Sequence, residues 1–326
     1  GKEKIALTGP FANIQTDLMG SWTMKGRAEE VISVWNGFCK KLPQEQLIHA
    51  GCAWNGVTPE YLATLKEQVK EAQVIIACIG EFSFNIGEAV TTGKLQIPEE
   101  QIQMLQVLKS TGKPVIAVLF NGRPLVVDEI LKSCDALLEA WYPGTMGGEA
   151  VASLLLGEES PSGKLTQTFP RHAGQVPIAY NFRRSFGRIE HNDLGKGPQF
   201  PFGFGLTYTT FAYGEPTTDR KEYTPGDTVR VRVTVQNTGK KAAREIVQLY
   251  IRDEVATIVP REKELKGFAS VKLQPGESKE IRFELPSESF MIWNNRMEKV
   301  LEPGSFKILT GSNSEELQAT TIQFKP

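Results

Sequence analysis

Histidine and cysteine are scarce, three and four residues in a chain of 326, and charge of one sign does not accumulate. Lys plus Arg is 37 and Asp plus Glu is 38, for a net charge of -1, so the basic stripe of a nucleic-acid binder is missing. No window reaches the roughly 18 apolar residues of a membrane-spanning helix. The apolar run Val74 to Ile79 is only strand-sized. His49, His172 and His191 stand far apart with no second ligand at metal spacing, which argues against a bound metal. Cys39, Cys52, Cys78 and Cys134 show no Cys-x-x-Cys spacing. Unpaired buried thiols are expected, with a Cys39–Cys52 bridge as the alternative. The chain also lacks Gly-x-x-x-x-Gly-Lys-Ser/Thr, Gly-x-Gly-x-x-Gly and Gly-x-Ser-x-Gly. Those absences argue against a nucleotide-triphosphatase, a dinucleotide enzyme and a serine-elbow hydrolase, and no cofactor is expected.

What is present is enough for two cores. Hydrophobic residues make up 40% and charged residues 23%, and at roughly 150 residues per domain the length suggests two domains. From residue 1 to about 209, short apolar runs alternate with helical patterns. Strands are expected at Ile5 to Leu7, Val74 to Ile79, Val115 to Phe120 and Ala136 to Ala140. Helices are expected at Thr58 to Ala72, Pro98 to Thr111 and Gly147 to Leu156, while Val31 to Trp35 fits either state. All-apolar strands alternating with helices predict an α/β domain with a mostly parallel sheet and helices on both faces. From about residue 210 to 326 the rhythm changes to alternation of apolar and polar residues, as in Val229 to Val235. Further strands are expected at Ile246 to Ile251, Lys279 to Leu285 and Phe306 to Leu309. Turns at Pro225-Gly226-Asp227, Asn237-Thr238-Gly239, Pro275-Gly276-Glu277 and Pro303-Gly304 separate them, predicting an all-β, fibronectin-III-like sandwich. Residue 1 is glycine and a core-strand pattern opens at once, which suggests that a leader or a larger piece belongs in front.

Four regions could carry chemistry. The loop Gly80 to Ala89 follows a buried parallel strand, where ligands bind in such sheets, and it holds Glu81 and Glu88. Either carboxyl could act as a general acid, with Phe82 and Phe84 as an apolar wall or sugar-stacking platform. A solvated loop capping the next helix is the plainer reading. In Trp141 to Glu149, Gly147-Gly148 could bring backbone amides to a ligand, or simply permit tight packing, and Trp141 could stack on an apolar face. Arg123, in Asn121-Gly122-Arg123-Pro124, could clamp a carboxylate or pair with Asp128. The aromatic and glycine-rich Pro201 to Phe211 reads as a packing tether at the domain junction.

Taken together, these segments resemble glycoside hydrolase family 3 β-glucosidases of the bacterial periplasmic type. The segments that carry the resemblance are Ile5-Ala6-Leu7-Thr8-Gly9-Pro10-Phe11-Ala12, Gly80-Glu81, Gly87-Glu88-Ala89 and Leu95-Gln96-Ile97-Pro98-Glu99-Glu100-Gln101. Gly112-Lys113-Pro114 through Pro124, Trp141 to Gly148, Pro161 to Leu165 with Phe169-Pro170, Pro201 to Tyr208 and Leu265 to Phe268 complete it. The resemblance implies the C-terminal two domains of such an enzyme: an α/β sandwich domain over 1–209 and a fibronectin type III-like domain over 210–326. It implies that an N-terminal (β/α)8 barrel, outside this chain, holds the aspartate nucleophile and most sugar contacts. The acid/base glutamate carries over to Glu88, with Glu81 as the fallback. Thr92 stands where relatives commonly have arginine, which leaves the loop's charge partner open. A β-glucoside or oligosaccharide substrate, a periplasmic or secreted location and an inactive isolated chain follow from the same resemblance. A non-catalytic carbohydrate-binding or scaffold module is the alternative.

Overall fold

The computed structural model describes residues 3–52, 57–184 and 195–326; His191 lies outside them. The chain forms two compact units, Gly1–Glu158 with Arg171–Gly174, and Glu159–Pro170 with Gln175–Pro326. The sequence-based line at 209 therefore differs from the division by contacts, because 159–170, 175–184 and 195–208 group with the second unit.

Five strands form the sheet of the first unit: β1 (Ile5–Thr8), β2 (Leu47–Ala50), β3 (Val74–Gly80), β4 (Val115–Phe120) and β5 (Ala136–Glu139). They are parallel, in the order β2-β1-β3-β4-β5. Ile75, Ile76, Ala77, Cys78 and Ile79 are all essentially unexposed, so β3 is covered on both faces, as its unbroken apolar run requires. Four helices connect the strands, α1 (Val34–Cys39), α2 (Pro59–Gln68), α3 (Glu99–Lys109) and α4 (Asp128–Lys132), and α5 (Gly147–Leu155) follows β5. Val34 and Phe38 of α1 join Val151 and Ala152 of α5 over Leu7, Ile76, Cys78, Val118 and Phe120. Ser33 settles the ambiguous Val31 to Trp35 stretch: its hydroxyl accepts from the Asn36 amide and starts α1. Thr58 and Pro59 start α2 by the same capping logic.

The second unit is built from antiparallel strands over a single apolar core. In chain order they are β6 (Phe211–Tyr213), β7 (Thr217–Thr218), β8 (Glu222–Tyr223), β9 (Thr228–Asn237), β10 (Ala243–Asp253) and β11 (Glu264–Leu273). Then come β12 (Ser278–Pro286), β13 (Ile292–Trp293), β14 (Lys299–Val300), β15 (Gly304–Gly311) and β16 (Leu317–Phe324). One sheet runs β11-β10-β15-β16-β8 and a second β12-β9-β6, with β7 also on β9, while β13 and β14 pair only with each other. Within the first of these, β8 pairs with β16 in parallel. Val229, Val231, Val233 and Val235 meet Leu249, Ile308, Phe306 and Phe324 in the core, each such buried side chain contributing about 1.5–3 kcal/mol. Pro201 to Phe211, expected as a junction tether, has its described partners within this unit: Gly203 N–H donates to Leu165 O, and Gln248 Nε2 donates to Gly203 O.

Candidate functional site

In a sheet ordered β2-β1-β3-β4-β5 the winding direction reverses between β1 and β3. In open α/β sheets ligands bind beyond the carboxyl ends of the strands at such a reversal. The loops that follow β1 and β3 flank it. Phe11, after β1, stacks on Phe82, after β3, with ring centroids 5.1 Å apart, and on Phe120 at 5.3 Å.

The strand leads into this loop through a glycine that nothing else could replace. Gly80 has φ +152°, and a Cβ there would stand 1.9 Å from the Phe120 carbonyl oxygen. Gln101 of α3, buried, accepts from the Gly80 amide at 2.8 Å and donates to its carbonyl at 2.9 Å. Glu81 follows at once, 6% exposed, its amide donating to Phe120 O at 2.9 Å. Arg123 grips its carboxylate, with Nε donating to Oε2 at 3.1 Å and Nη2 to Oε1 at 2.5 Å. The Tyr142 hydroxyl donates to the Glu81 carbonyl, so three elements converge on this residue. Of the two partners open to Arg123, Glu81 is therefore the one it takes, while Asp128 pairs with Lys132 one helical turn away.

Beyond Glu81 the loop rises toward solvent. Phe82 is half-buried and Phe84 is 71% exposed; their rings stack 5.4 Å apart and nearly parallel. Asp17, buried, accepts from both the Ser83 amide and hydroxyl, and Ser21 Oγ reaches the carbonyls of Ser83 and Ile86. Gly87 at φ +118° and Ala89 at φ +62° flank Glu88, and the Val90 amide closes the turn on Gly87 O. Glu88 is thus presented at the tip of a tight turn, exposed. Among the described residues its carboxylate has no ion pair or hydrogen bond. Thr92 and Lys94 are exposed as well, and Arg123 Nη2 also donates to Lys94 O, pinning the far end of the loop. The structure thus separates two glutamates that spacing alone leaves equivalent.

Trp141 adopts φ +51°, with its amide donating to Glu139 Oε1 at 3.0 Å. The glycines that follow serve packing: a Cβ on Gly148 would stand 2.0 Å from Ser33 O, and one on Gly37 would stand 2.2 Å from Gly148 O. Asp17, Gln101, Tyr142 and Glu139 escape sequence reasoning. Gln101 and Tyr142 lie in segments that carry the family resemblance, but the partners of all four are set by strand register and loop approach, which no local motif encodes. Glu139 stands out, since burial pushes its carboxyl up to about 8. The four cysteines carry thiols rather than disulfides, and only Cys78 and Cys134 are buried; Cys39 is exposed and Cys52 half-buried. Among the described residues no three His, Cys, Asp or Glu side chains converge as a metal site, and no helix is long and apolar enough to cross a membrane.

Comparison with known proteins gives a consistent result. Residues 1–208 match the glycosyl hydrolase family 3 C-terminal domain, and residues 245–314 match the fibronectin type III-like domain. The chain is 36% identical over 329 residues to a beta-xylosidase of Formosa agariphila, covering 98% of this chain and 46% of that protein. It is 34% identical over 352 residues to the periplasmic beta-glucosidase of Salmonella typhimurium, with 98% and 46% covered. Beta-glucosidase from Listeria innocua, solved in complex with isofagomine, superposes with a TM-score of 0.93 at 35% identity, covering 99% of this chain and 46% of that one. The chain thus spans about half the length of the relatives it matches.

Proposed function

Because the chain belongs to glycoside hydrolase family 3, we propose that it is the part of a retaining β-glycosidase that supplies the acid/base carboxyl, and that Glu88 is that group. The observation that carries this is the division of labour in the loop after β3. Glu81 is buried and engaged by Arg123, whereas Glu88 projects from the turn with its carboxylate uncommitted. A general acid must be free to approach the departing glycosidic oxygen and to return as base toward water. A carboxylate already gripped by a guanidinium is not free to make either move.

In such a mechanism one carboxylate attacks the anomeric carbon and the other protonates the leaving oxygen, the pair standing roughly 5–5.5 Å apart. The attacking group is proposed to lie in an N-terminal barrel outside this chain, so the chain alone is expected to turn over no aryl β-glycoside. Phe84, the outer ring of the Phe82–Phe84 stack, offers the face on which a sugar would lie, with Trp141 on the neighbouring loop. Beta-xylosidases stand beside beta-glucosidases among the relatives, so β-xylosides join β-glucosides as substrates to assay. The name of the Salmonella relative supports a periplasmic or secreted location.

The test is Glu88→Ala in the whole enzyme. Loss of general acid/base assistance typically costs ~10²–10⁴-fold, and the loss should be far smaller for a dinitrophenyl glycoside than for a disaccharide. Azide should partly restore turnover of the former by attacking the glycosyl-enzyme without base help. Should both signatures follow Glu81→Ala instead, the assignment of Glu88 fails.

A further inference from the structure

Strands β4 and β5 end side by side, and each leaves a buried oxygen without a donor. In their register Glu139 lies opposite Leu119, and Asn121, two residues beyond Leu119, falls on the same face. Asn121 is fully buried, and its Nδ2 donates to Arg123 O at 2.8 Å, which fixes the end of the amide that is oxygen. Asn121 Oδ1 has no hydrogen-bond partner, and neither has Glu139 Oε2, although both atoms are sealed from solvent. Left without a donor, these two neighbouring buried acceptors would each cost a desolvation penalty. One proton on Glu139 turns that deficit into a single bond.

We propose that Glu139 is held as the neutral acid, its Oε2–H donating to Asn121 Oδ1, and that it acts as a positioning residue for the loop carrying Glu81 and Glu88. The two braces on Glu81 both run back to it. Oε1 accepts from the amide of Trp141, which sits in a left-handed conformation that is strained for a non-glycine residue; the next residue, Tyr142, holds the Glu81 carbonyl. Through Asn121 the same carboxyl steadies the turn from which Arg123 grips the Glu81 carboxylate. Burial favours the neutral form, opposed by the Trp141 amide and the neighbouring Asn121 side chain, and no charged side chain contributes. Of the charged groups in the adjoining loops, Glu81 and Arg123 satisfy each other and Asp17 takes the Ser83 amide. The catalytic part of this inference rests on the glycosidase reading above; the protonation does not.

Native-state hydrogen exchange of the full chain tests it, read on peptides covering residues 80–86 and 136–145 and corrected for intrinsic amide rates. The folded state holds this proton where the unfolded chain has lost it. Protection should therefore fall as pH rises from 6 to 8, by up to about tenfold per unit. Glu139→Gln, which keeps a donor for Asn121 and an acceptor for Trp141, should be at least as protected as the parent chain at pH 6 and show no such decline. Glu139→Leu should speed exchange of the Glu81 amide about tenfold or more. In the whole enzyme, Glu139→Gln should keep kcat/KM and Glu139→Leu should lower it. Flat protection in the parent chain between pH 6 and 8, or a glutamine variant as unprotected as the leucine variant, overturns the proposal. Neither exchange result depends on hydrolysis, so failure of the Glu88 test would leave this one standing.

Discussion

Arg123 and Glu81, separated by 42 residues, meet through two hydrogen bonds at the carboxyl edge of the parallel sheet, with their side chains 19% and 7% exposed. The arginine also holds the Lys94 carbonyl, so one guanidinium fixes both ends of the loop that presents Glu88. Breaking such a pair from one side strands a charge that the protein has already stripped of water.

Arg123→Ala should therefore cost about 3 kcal/mol in a urea titration. Replacing both partners, as Glu81→Leu with Arg123→Met, should recover a large part of that loss, because no uncompensated charge is left behind. A double variant that is less stable than the single one by the sum of two independent losses would show that the pair acts through something other than mutual neutralisation.

Gly80 offers a backbone test of the same region. A methyl group placed 1.9 Å from the Phe120 carbonyl oxygen cannot be absorbed by rotating a side chain, since the obstacle is main chain. Gly80→Ala should lower stability by roughly 4 kcal/mol or more, among the large single-residue effects. Gly112→Ala, where a Cβ meets nothing but φ is +74°, should cost only the milder strain of a left-handed alanine, roughly 1–2 kcal/mol. Denaturant midpoints of the two variants, compared side by side, decide the ranking.

The second unit carries its own pH signature. Burial raises the Asp253 carboxyl to about 6, with Glu302 adding a smaller like-charge push. The folded chain then binds this proton more tightly than the unfolded chain, so stability falls as pH climbs from about 4 to about 6 and levels off beyond. Asp253→Asn should lessen the fall in that window while leaving in place the decline assigned to Glu139, which runs on to pH 8. Thermal midpoints of parent and variant from pH 4 to 8 separate the two.

Much of this architecture was legible because burial on both faces leaves a mark that survives in any window. Val74 to Ile79 and Val115 to Phe120 are unbroken apolar runs, and both are strands of the central sheet. The alternation of Val229 to Val235 likewise became β9, buried at every second residue. Weak local signals were lost: β2 is four residues long with His49 inside it, and α4 spans only Asp128–Lys132, too few residues for helical periodicity. The strand β11 was missed because Leu265 to Phe268 lacks alternation, and Phe268 is 69% exposed. At the site, the loop could be found from its place after a buried strand. The unlike surroundings of Glu81 and Glu88 depend on Arg123 folding back across 42 residues, and no local spacing encodes that. Glu139 was hidden for the same reason, since its surroundings are set by its pairing opposite Leu119.

The anchoring of the loop after β3 sets a length scale for its chemistry. Ser21 ties down Ile86, and Glu88 is only two residues further on, which allows at most ~7 Å of backbone. A carboxylate on so short a leash samples a volume far smaller than its share of any dilute solution. Toward anything seated in that volume it behaves as a reagent of very high local concentration, and the entropy of bringing it there is already spent in folding.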